Sequence, residues 1–324
     1  MKILVIGGTG FIGTFVVKQL QALGIEVGLV TRGLSPTDID QSTVTIFKGN
    51  RSRLVNLHKD IEAWQPDAVI DLIAYNSQDA WQLVQTFRDL QARIVLISSG
   101  DVYHAYDMFR ATIEGNEAGE LTEQSPLRSQ LYPFRKNLNP DTPQNIQFYN
   151  YDKIPAERIV LAEPDVDYTI LRIPAVYGPN DRQHLFASVL MPMLAGQPTI
   201  RLEEKKAAWK WTKSYVENVA SAIVLAATRE EAANKIYNVG SNVLYTELEW
   251  FNKLADLTGW DGKVDIRRIE DMPEQEREPL NYEQHLPLND DLIRKELGYT
   301  EIVNETDGLK ATIEYTRKAM ADMG

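Results

Sequence analysis

Two short stretches, about 140 residues apart, carry residue types that could do redox chemistry together. Gly7-Gly8-Thr9-Gly10-Phe11-Ile12-Gly13 follows an apolar run near the start of the sequence. Between a strand and a helix, Gly7 permits a tight turn, Gly10 lets a pyrophosphate approach the backbone, and Gly13 lets the helix pack close to the sheet. The first N–H groups of the helix, around Thr9, Phe11 and Ile12, then face the phosphates. The spacing is one residue wider at the front than the fingerprint of many dehydrogenases. The second stretch is Tyr149-Asn150-Tyr151-Asp152-Lys153. Tyr149 and Lys153 are four apart, so on a helix both point to one side. A phenol with a pKa of roughly 10 is a poor acid–base group at neutral pH, and an adjacent ammonium lowers that pKa. Ser99, in Ile97-Ser98-Ser99-Gly100-Asp101, ends a strand and can hydrogen-bond a substrate oxygen. Together the stretches predict a nicotinamide-dependent enzyme with a small-molecule substrate.

The first half of the chain must position these groups. Residues 2–6, 26–30, 44–47, 68–73 and 93–97 read as buried strands, and helical patterns run from residue 12, over 54–64 and over 79–90. This alternation predicts right-handed crossovers and a parallel sheet with helices on both faces. Ligands of such sheets bind beyond the carboxyl ends of the strands, so residues 7–13 and 98–103 share one crevice. Strand texture returns at 168–173 and 236–239, with helices from residue 216, over 248–257 and over 309–320. The fold class expected is α/β, a Rossmann-type doubly wound parallel sheet with a smaller C-terminal α/β substrate-binding region. The dinucleotide-binding domain is expected over 1–175, also receiving 212–240, with substrate binding mainly in 176–324.

Residues 104–148 are polar, carry Pro126, Pro133, Pro140 and Pro143, and lack a period. A loop this long is functional or mobile, and it reads as an insertion over the active site or as a disordered surface excursion. It holds a second Tyr-x-x-x-Lys copy, Tyr132 to Lys136, where no helix would align the pair. Its Arg128, Arg135 and Lys136, beside Tyr132 and Phe134, could hold a diphosphate and a base or form a solvated loop face. Arg182 joins Arg128 and Arg135 as a candidate substrate residue. Trp209 and Trp211 read as one buried face of a strand. Pro155 follows Lys153 by two positions. If it occupies the first helical turn, Tyr149 and Lys153 fall just outside the helix.

The chain has 324 residues, 44% hydrophobic and 25% charged, as expected of a globular protein. It has no Cys, which excludes disulfides and thiolate chemistry, and four scattered His without ligand spacing, so no metal is expected. The net charge of −12 disfavours nucleic-acid partners. No apolar run reaches signal-peptide or membrane-span length, so a cytoplasmic location and no membrane partner are expected. The second strand ends at Thr31-Arg32-Gly33, where an acid would hold a ribose 2′-hydroxyl. Arg32 could instead pair with a 2′-phosphate, reinforced by Arg51 and Arg53, so NADP is favoured over NAD.

In this order the motifs resemble the extended short-chain dehydrogenase/reductase superfamily, the NAD(P)-dependent epimerase/dehydratase group, over nearly the whole chain. Residues 7–13 match its cofactor turn, and Asp71-Leu72-Ile73-Ala74 its segment near the cofactor. Ser99, Tyr149 and Lys153 match its catalytic triad. Arg172-Ile173-Pro174-Ala175-Val176-Tyr177-Gly178-Pro179 matches the stretch lining the nicotinamide end. The resemblance implies Tyr149 as acid–base, and cofactor contacts from Ile73, Ala74, Ser98, Lys153, Pro174 and Val176. It also implies hydride transfer at the nicotinamide, nucleotide sugars as frequent substrates, and a homodimer built through two helices per subunit.

Departures refine this. Asn50 stands where an adenine-contacting Asp is common, and His104 replaces a usual Gly. Asp101 occupies the position of a dehydratase's catalytic Glu, but Gly100 stands where its Asp belongs, so epimerase or reductase ranks above dehydratase. Two non-catalytic alternatives share the fold: an RNA-binding protein similar to chloroplast stem-loop binders, and a redox-sensing subunit.

Overall fold

The computed structural model describes residues 1–33, 38–135, 138–139, 141–142 and 146–323. Eleven strands lie within them: β1 (Lys2–Ile6), β2 (Glu26–Thr31), β3 (Thr45–Lys48), β4 (Ala68–Asp71), β5 (Arg93–Ser99), β6 (Tyr168–Ile173), β7 (Ala175–Tyr177), β8 (Thr199–Glu203), β9 (Lys213–Tyr215), β10 (Lys235–Asn238) and β11 (Lys263–Arg267). Seven form one parallel sheet in the order β3-β2-β1-β4-β5-β6-β10. The chain runs from β1 outward through β2 and β3, then crosses back to β4, so the order reverses between β1 and β4. That reversal opens a crevice at the carboxyl ends. Register aligns it: Ile6 sits beside Val30 and Asp71, and Asp71 beside Leu96.

Both faces of the sheet are covered, which is why its strands read as apolar runs rather than alternations. Ile3 and Val5 pack with Val16, Leu20, Val219 and Ile223 on one face, under helices Phe11–Ala22 and Val216–Thr228. Leu4 and Ile6 pack with Leu83, Phe87 and Val160 on the other, under helices Ser77–Phe87 and Lys153–Leu161. The helix expected over 54–64 divides into a 3₁₀ turn, Arg51–Leu57, and a short helix, His58–Trp64.

The C-terminal part builds two small parallel pairs, β7 with β9 and β8 with β11. Around them Tyr177, Phe186, Tyr215, Trp250 and Phe251 form an aromatic core. Helix Glu247–Thr258 starts on a reciprocal Thr246–Glu249 capping box and stops at Gly259 in the left-handed conformation.

The insertion is a correction to the expectation of a structureless loop. Residues Ala105–Phe109 form a helix, and Tyr103 pairs antiparallel with Leu127. Leu121 bridges to Leu288, and its N–H donates 2.7 Å to the Pro287 carbonyl. The insertion has no period because its order comes from distant partners rather than from a local repeat. Lys136, Pro140 and Pro143 lie outside the described residues.

Candidate active site

The glycine turn closes over β1 as a cradle. Gly7 has φ +87°, open to glycine without strain. A Cβ on Gly13 would lie 2.2 Å from the Gly7 carbonyl oxygen and 2.7 Å from the Gly8 Cα, so only hydrogen fits between helix and turn. Gly10 is the N-cap of helix Phe11–Ala22, and no side chain caps its first N–H groups. Those donors and the positive end of the helix are left for an anion, and the turn fits a dinucleotide pyrophosphate. Thr9, Phe11 and Ile12 are half-buried around it.

Arg32 is exposed just past β2, and Asn50 is exposed with its side chain accepting from the Ser52 N–H. Arg51 turns inward instead. Its Nη2 donates to Asp71 Oδ2 at 2.5 Å and to the Asp79 carbonyl at 2.7 Å. Two carboxylates match its charge, so Arg51 does not reinforce Arg32 as expected. Burial pushes the Asp71 carboxyl up while Arg51 pulls it down.

Lys153 ties the crevice together. It opens helix Lys153–Leu161, with Asp152 as N-cap and Pro155 in the first turn. Its ammonium donates at 2.8 Å to both the Ala74 and Ile97 carbonyls, bridging the ends of β4 and β5. Its Nζ also sits 5.0 Å from the Tyr75 ring centre. Burial lowers its pKa to about 8, opposed by Asp71 and Asp101.

Tyr149 is not brought to this point. It ends a separate turn, Ile146–Tyr149, and its ring lies 5.1 Å from the Arg135 guanidinium. Pro155 is compatible with a helix starting at 153 but not with one running through from 149, so the shared helical face does not form. The phenol beside Ser99 belongs to Tyr151. Tyr151 is half-buried, with its phenol against Ser99 and Asp101; desolvation and the Asp101 carboxylate push it well above its ordinary value, and Ser99 pulls it down. Tyr75 and Phe134 flank its ring, with centres 6.1 and 5.6 Å away. Asp101 Oδ1 is buried with no hydrogen-bond partner. Arg110 Nη2 approaches Asp101 Oδ2 at 3.4 Å. Tyr151, Tyr75 and Arg110 escaped the sequence reading. The one signal was Pro155, which fixes the helix start and leaves Tyr151 on the extended approach to it.

Other expected contacts move. The Ser98 hydroxyl donates to Glu157, which also takes the Arg172 guanidinium, so only its backbone remains for a cofactor. Arg128 is buried and spends its donors on the Asp101 and Gln130 carbonyls and on Asp152 at 3.0 Å. It braces the helix cap and is not free to grip a diphosphate. Arg135 is exposed and stacks on Tyr132 at 3.5 Å. Arg182 is exposed near Tyr75; burial pushes that phenol above its ordinary value, with Asp71 and Asp79 adding to the rise and Arg182 opposing it. Ile73 and Ala74 follow β4 and Pro174 follows β6 at the carboxyl ends of the main sheet, while Val176 lies within β7. Trp209 and Trp211 lie together, with ring centres 5.3 Å apart, but the strand expected there is reduced to isolated bridges at Lys210 and Trp211, and of the two only Trp209 is fully buried. No group of His, Asp and Glu among the described residues could hold a metal, and no helix is long and apolar enough to cross a membrane.

A doubly wound sheet with a glycine cradle at its switch point and a buried Lys held on the strand that ends at Ser99 defines a dinucleotide-binding enzyme of the extended short-chain dehydrogenase/reductase type. The chain belongs to the NAD dependent epimerase/dehydratase family, which matches residues 3–240. It is 25% identical to the decarboxylating sterol-4-alpha-carboxylate 3-dehydrogenase of Candida albicans over 244 residues. That match covers 70% of this chain and 65% of the sterol enzyme's own length. It is 23% identical to dTDP-glucose 4,6-dehydratase of Haemophilus influenzae, with 97% of each chain covered. Among solved structures, UDP-glucose 4-epimerase of Thermotoga maritima with UDP-glucose superposes with a TM-score of 0.72 at 20% identity, covering 99% of this chain and all of that one.

Proposed function

We propose that this protein is an NAD(P)-dependent oxidoreductase or epimerase that interconverts a secondary alcohol and a ketone, with Tyr151 as the proton donor. When bound, the nicotinamide supplies a hydride acceptor or donor. The chain's own residues handle the oxygen. Ser99 holds it by a hydrogen bond; on reduction the neutral Tyr151 phenol gives it a proton and is reprotonated from solvent, and on oxidation the alcohol proton returns to Tyr151 while the phenol's own proton passes toward the Asp101 carboxylate. Lys153 fixes the ends of β4 and β5 and places a positive charge beside the crevice. The observation that carries this reading is the placement of the Tyr151 hydroxyl against Ser99 and Asp101. Arg32 beside the cradle supports NADP as the cofactor. Nucleotide sugars, such as the UDP-glucose in the Thermotoga structure, are one candidate substrate class, and a homodimer in the cytosol is the expected setting.

The test is a pair of single variants. Denaturing the purified protein first identifies any nicotinamide nucleotide it carries. Hydride transfer is then followed by cofactor absorbance with a panel of nucleotide sugars and simpler ketones. Tyr151→Phe should lose roughly 10²–10⁴-fold in rate with cofactor affinity nearly intact. Tyr149→Phe should stay within a few-fold of the parent. Tyr149 is the second reading, favoured by its four-residue spacing to Lys153. The reverse pattern of losses would make Tyr149 the donor.

A further inference from the structure

The C-terminal part encloses a cavity of about 440 Å³ that contains none of Ser99, Tyr151 or Lys153. Its walls are β8, the segment 269–282 and a cluster of aromatic rings. One helix separates it from the candidate active site. Phe109, at the end of helix Ala105–Phe109, lines the cavity and stacks on Trp209, with centres 4.7 Å apart and planes 3° from parallel. On the same helix, the Tyr106 hydroxyl accepts from Trp211 Nε1 at 3.0 Å. The next residue, Arg110, reaches Asp101 on the far side. The cavity is therefore a neighbour of the reacting groups.

Its charges are almost all matched. Arg201, Lys206, Lys213 and Arg277 face it, as do Glu203, Glu247, Glu276 and Glu278. Arg201 grips Glu276 with both arms of its fork, at 3.0 and 2.5 Å. Lys206 pairs with Glu278 at 2.5 Å, and the buried Lys213 pairs with Glu247 beneath three tryptophans. The Glu203 oxygens accept from the Lys205 and Lys206 N–H groups. Among the described residues, Arg277 has no carboxylate partner, and its donors reach only the Met272 and Glu270 carbonyls, at 2.9 and 2.8 Å. A diphosphate is held best by several free, bidentate guanidinium groups, and of the two guanidinium groups in the wall Arg201 already holds a carboxylate while Arg277 spends two donors on backbone carbonyls. An aromatic, charge-balanced cavity in which Arg277 is the one lining cation without a carboxylate partner among the described residues, and Glu203 is taken up by backbone N–H groups, fits a different ligand.

We propose that this cavity is a binding subsite for a flat, mostly apolar ring system bearing one anionic group, with the anion at Arg277, and that it does not accept a nucleoside diphosphate. Its role as the seat of the substrate's non-reacting end rests on the reading of Ser99 and Tyr151 as the reacting groups, and in that role it sets aside nucleotide sugars among the substrates named above. Binding to it does not.

The experiment follows tryptophan fluorescence of the whole protein during titration with 2-naphthoate, with neutral 2-naphthol and with UDP. Naphthoate should quench saturably. Arg277→Gln, an exposed change, should weaken naphthoate about tenfold and leave naphthol unchanged. Val189→Trp, which fills the cavity from a half-buried position, should remove both. Absence of naphthoate binding, binding indifferent to both variants, or displacement of naphthoate by UDP would each overturn the proposal. Full turnover in Tyr151→Phe together with the expected naphthoate pattern would sink the catalytic reading and leave the subsite standing.

Discussion

A phenol can protonate only an oxygen it can touch, so the placement of the Tyr151 phenol against Ser99 and Asp101 matters more than the spacing of Tyr149 to Lys153. Lys153 offers a pH signature. Its pKa falls to about 8 in the fold, from an ordinary 10.5. Between those values the unfolded chain binds more protons than the folded one, so this group makes stability rise with pH across that window. Urea unfolding at pH 7.5, 9 and 10.5 should show that rise in the parent and lose it in Lys153→Met; identical profiles would remove Lys153 as its source. Hydride transfer should decline above about pH 8 as the ammonium is lost. The cradle makes a second prediction. In Gly13→Ala the new methyl meets backbone at 2.2 Å, which no side-chain rotation relieves. Overpacking of this kind costs about 1–3 kcal/mol, and cofactor titration should show affinity at least tenfold weaker. Arg32→Asp should shift preference from NADP toward NAD, and an unchanged affinity ratio would refute its role at the 2′-phosphate.

Elements place these residues, and the helix Lys153–Leu161 is the decisive one. Its N-cap, Asp152, is fully buried and accepts from the Ile154 N–H, the Tyr132 N–H and Arg128. The insertion therefore clamps the helix start through a buried ion pair. Removing one partner of such a pair strands the other charge and costs roughly 3–5 kcal/mol. Arg128→Met should lower unfolding stability by about that amount and reduce hydride transfer as Lys153 loses its seat; a near-neutral change would show that the insertion does not hold the helix. The start of the helix was legible in Pro155, which suits a first helical turn. The clamp was not legible, because Arg128 and Asp152 are 24 residues apart and nothing local requires them to meet.

Across the whole molecule, Asn238 joins three parts. It ends β10 at the edge of the main sheet and is wholly buried. Its amide nitrogen donates to the Leu121 and Asn289 carbonyls at 2.7 and 3.1 Å, and its amide oxygen accepts from the Tyr103 hydroxyl at 2.5 Å. The insertion, the C-terminal segment and the sheet thus share one side chain. Asn238→Ala leaves buried polar groups unpaired, at about 1–3 kcal/mol each. Amide exchange should then quicken at 121–123 and 286–289 together; a change confined to one segment would show that they are held separately.

The amino-acid order alone determined the parallel sheet, the crevice at its carboxyl ends and the glycine cradle. Those follow from periodicity and from glycine sterics, which act over a few neighbouring residues. Tertiary structure alone decided which tyrosine faces Ser99, that Arg51 and Arg128 are consumed by interior carboxylates, and that an aromatic cavity lies one helix away from Asp101. Each of these depends on side chains far apart in sequence, and the energy of a buried charge or phenol is set by the partner it meets, which spacing does not encode.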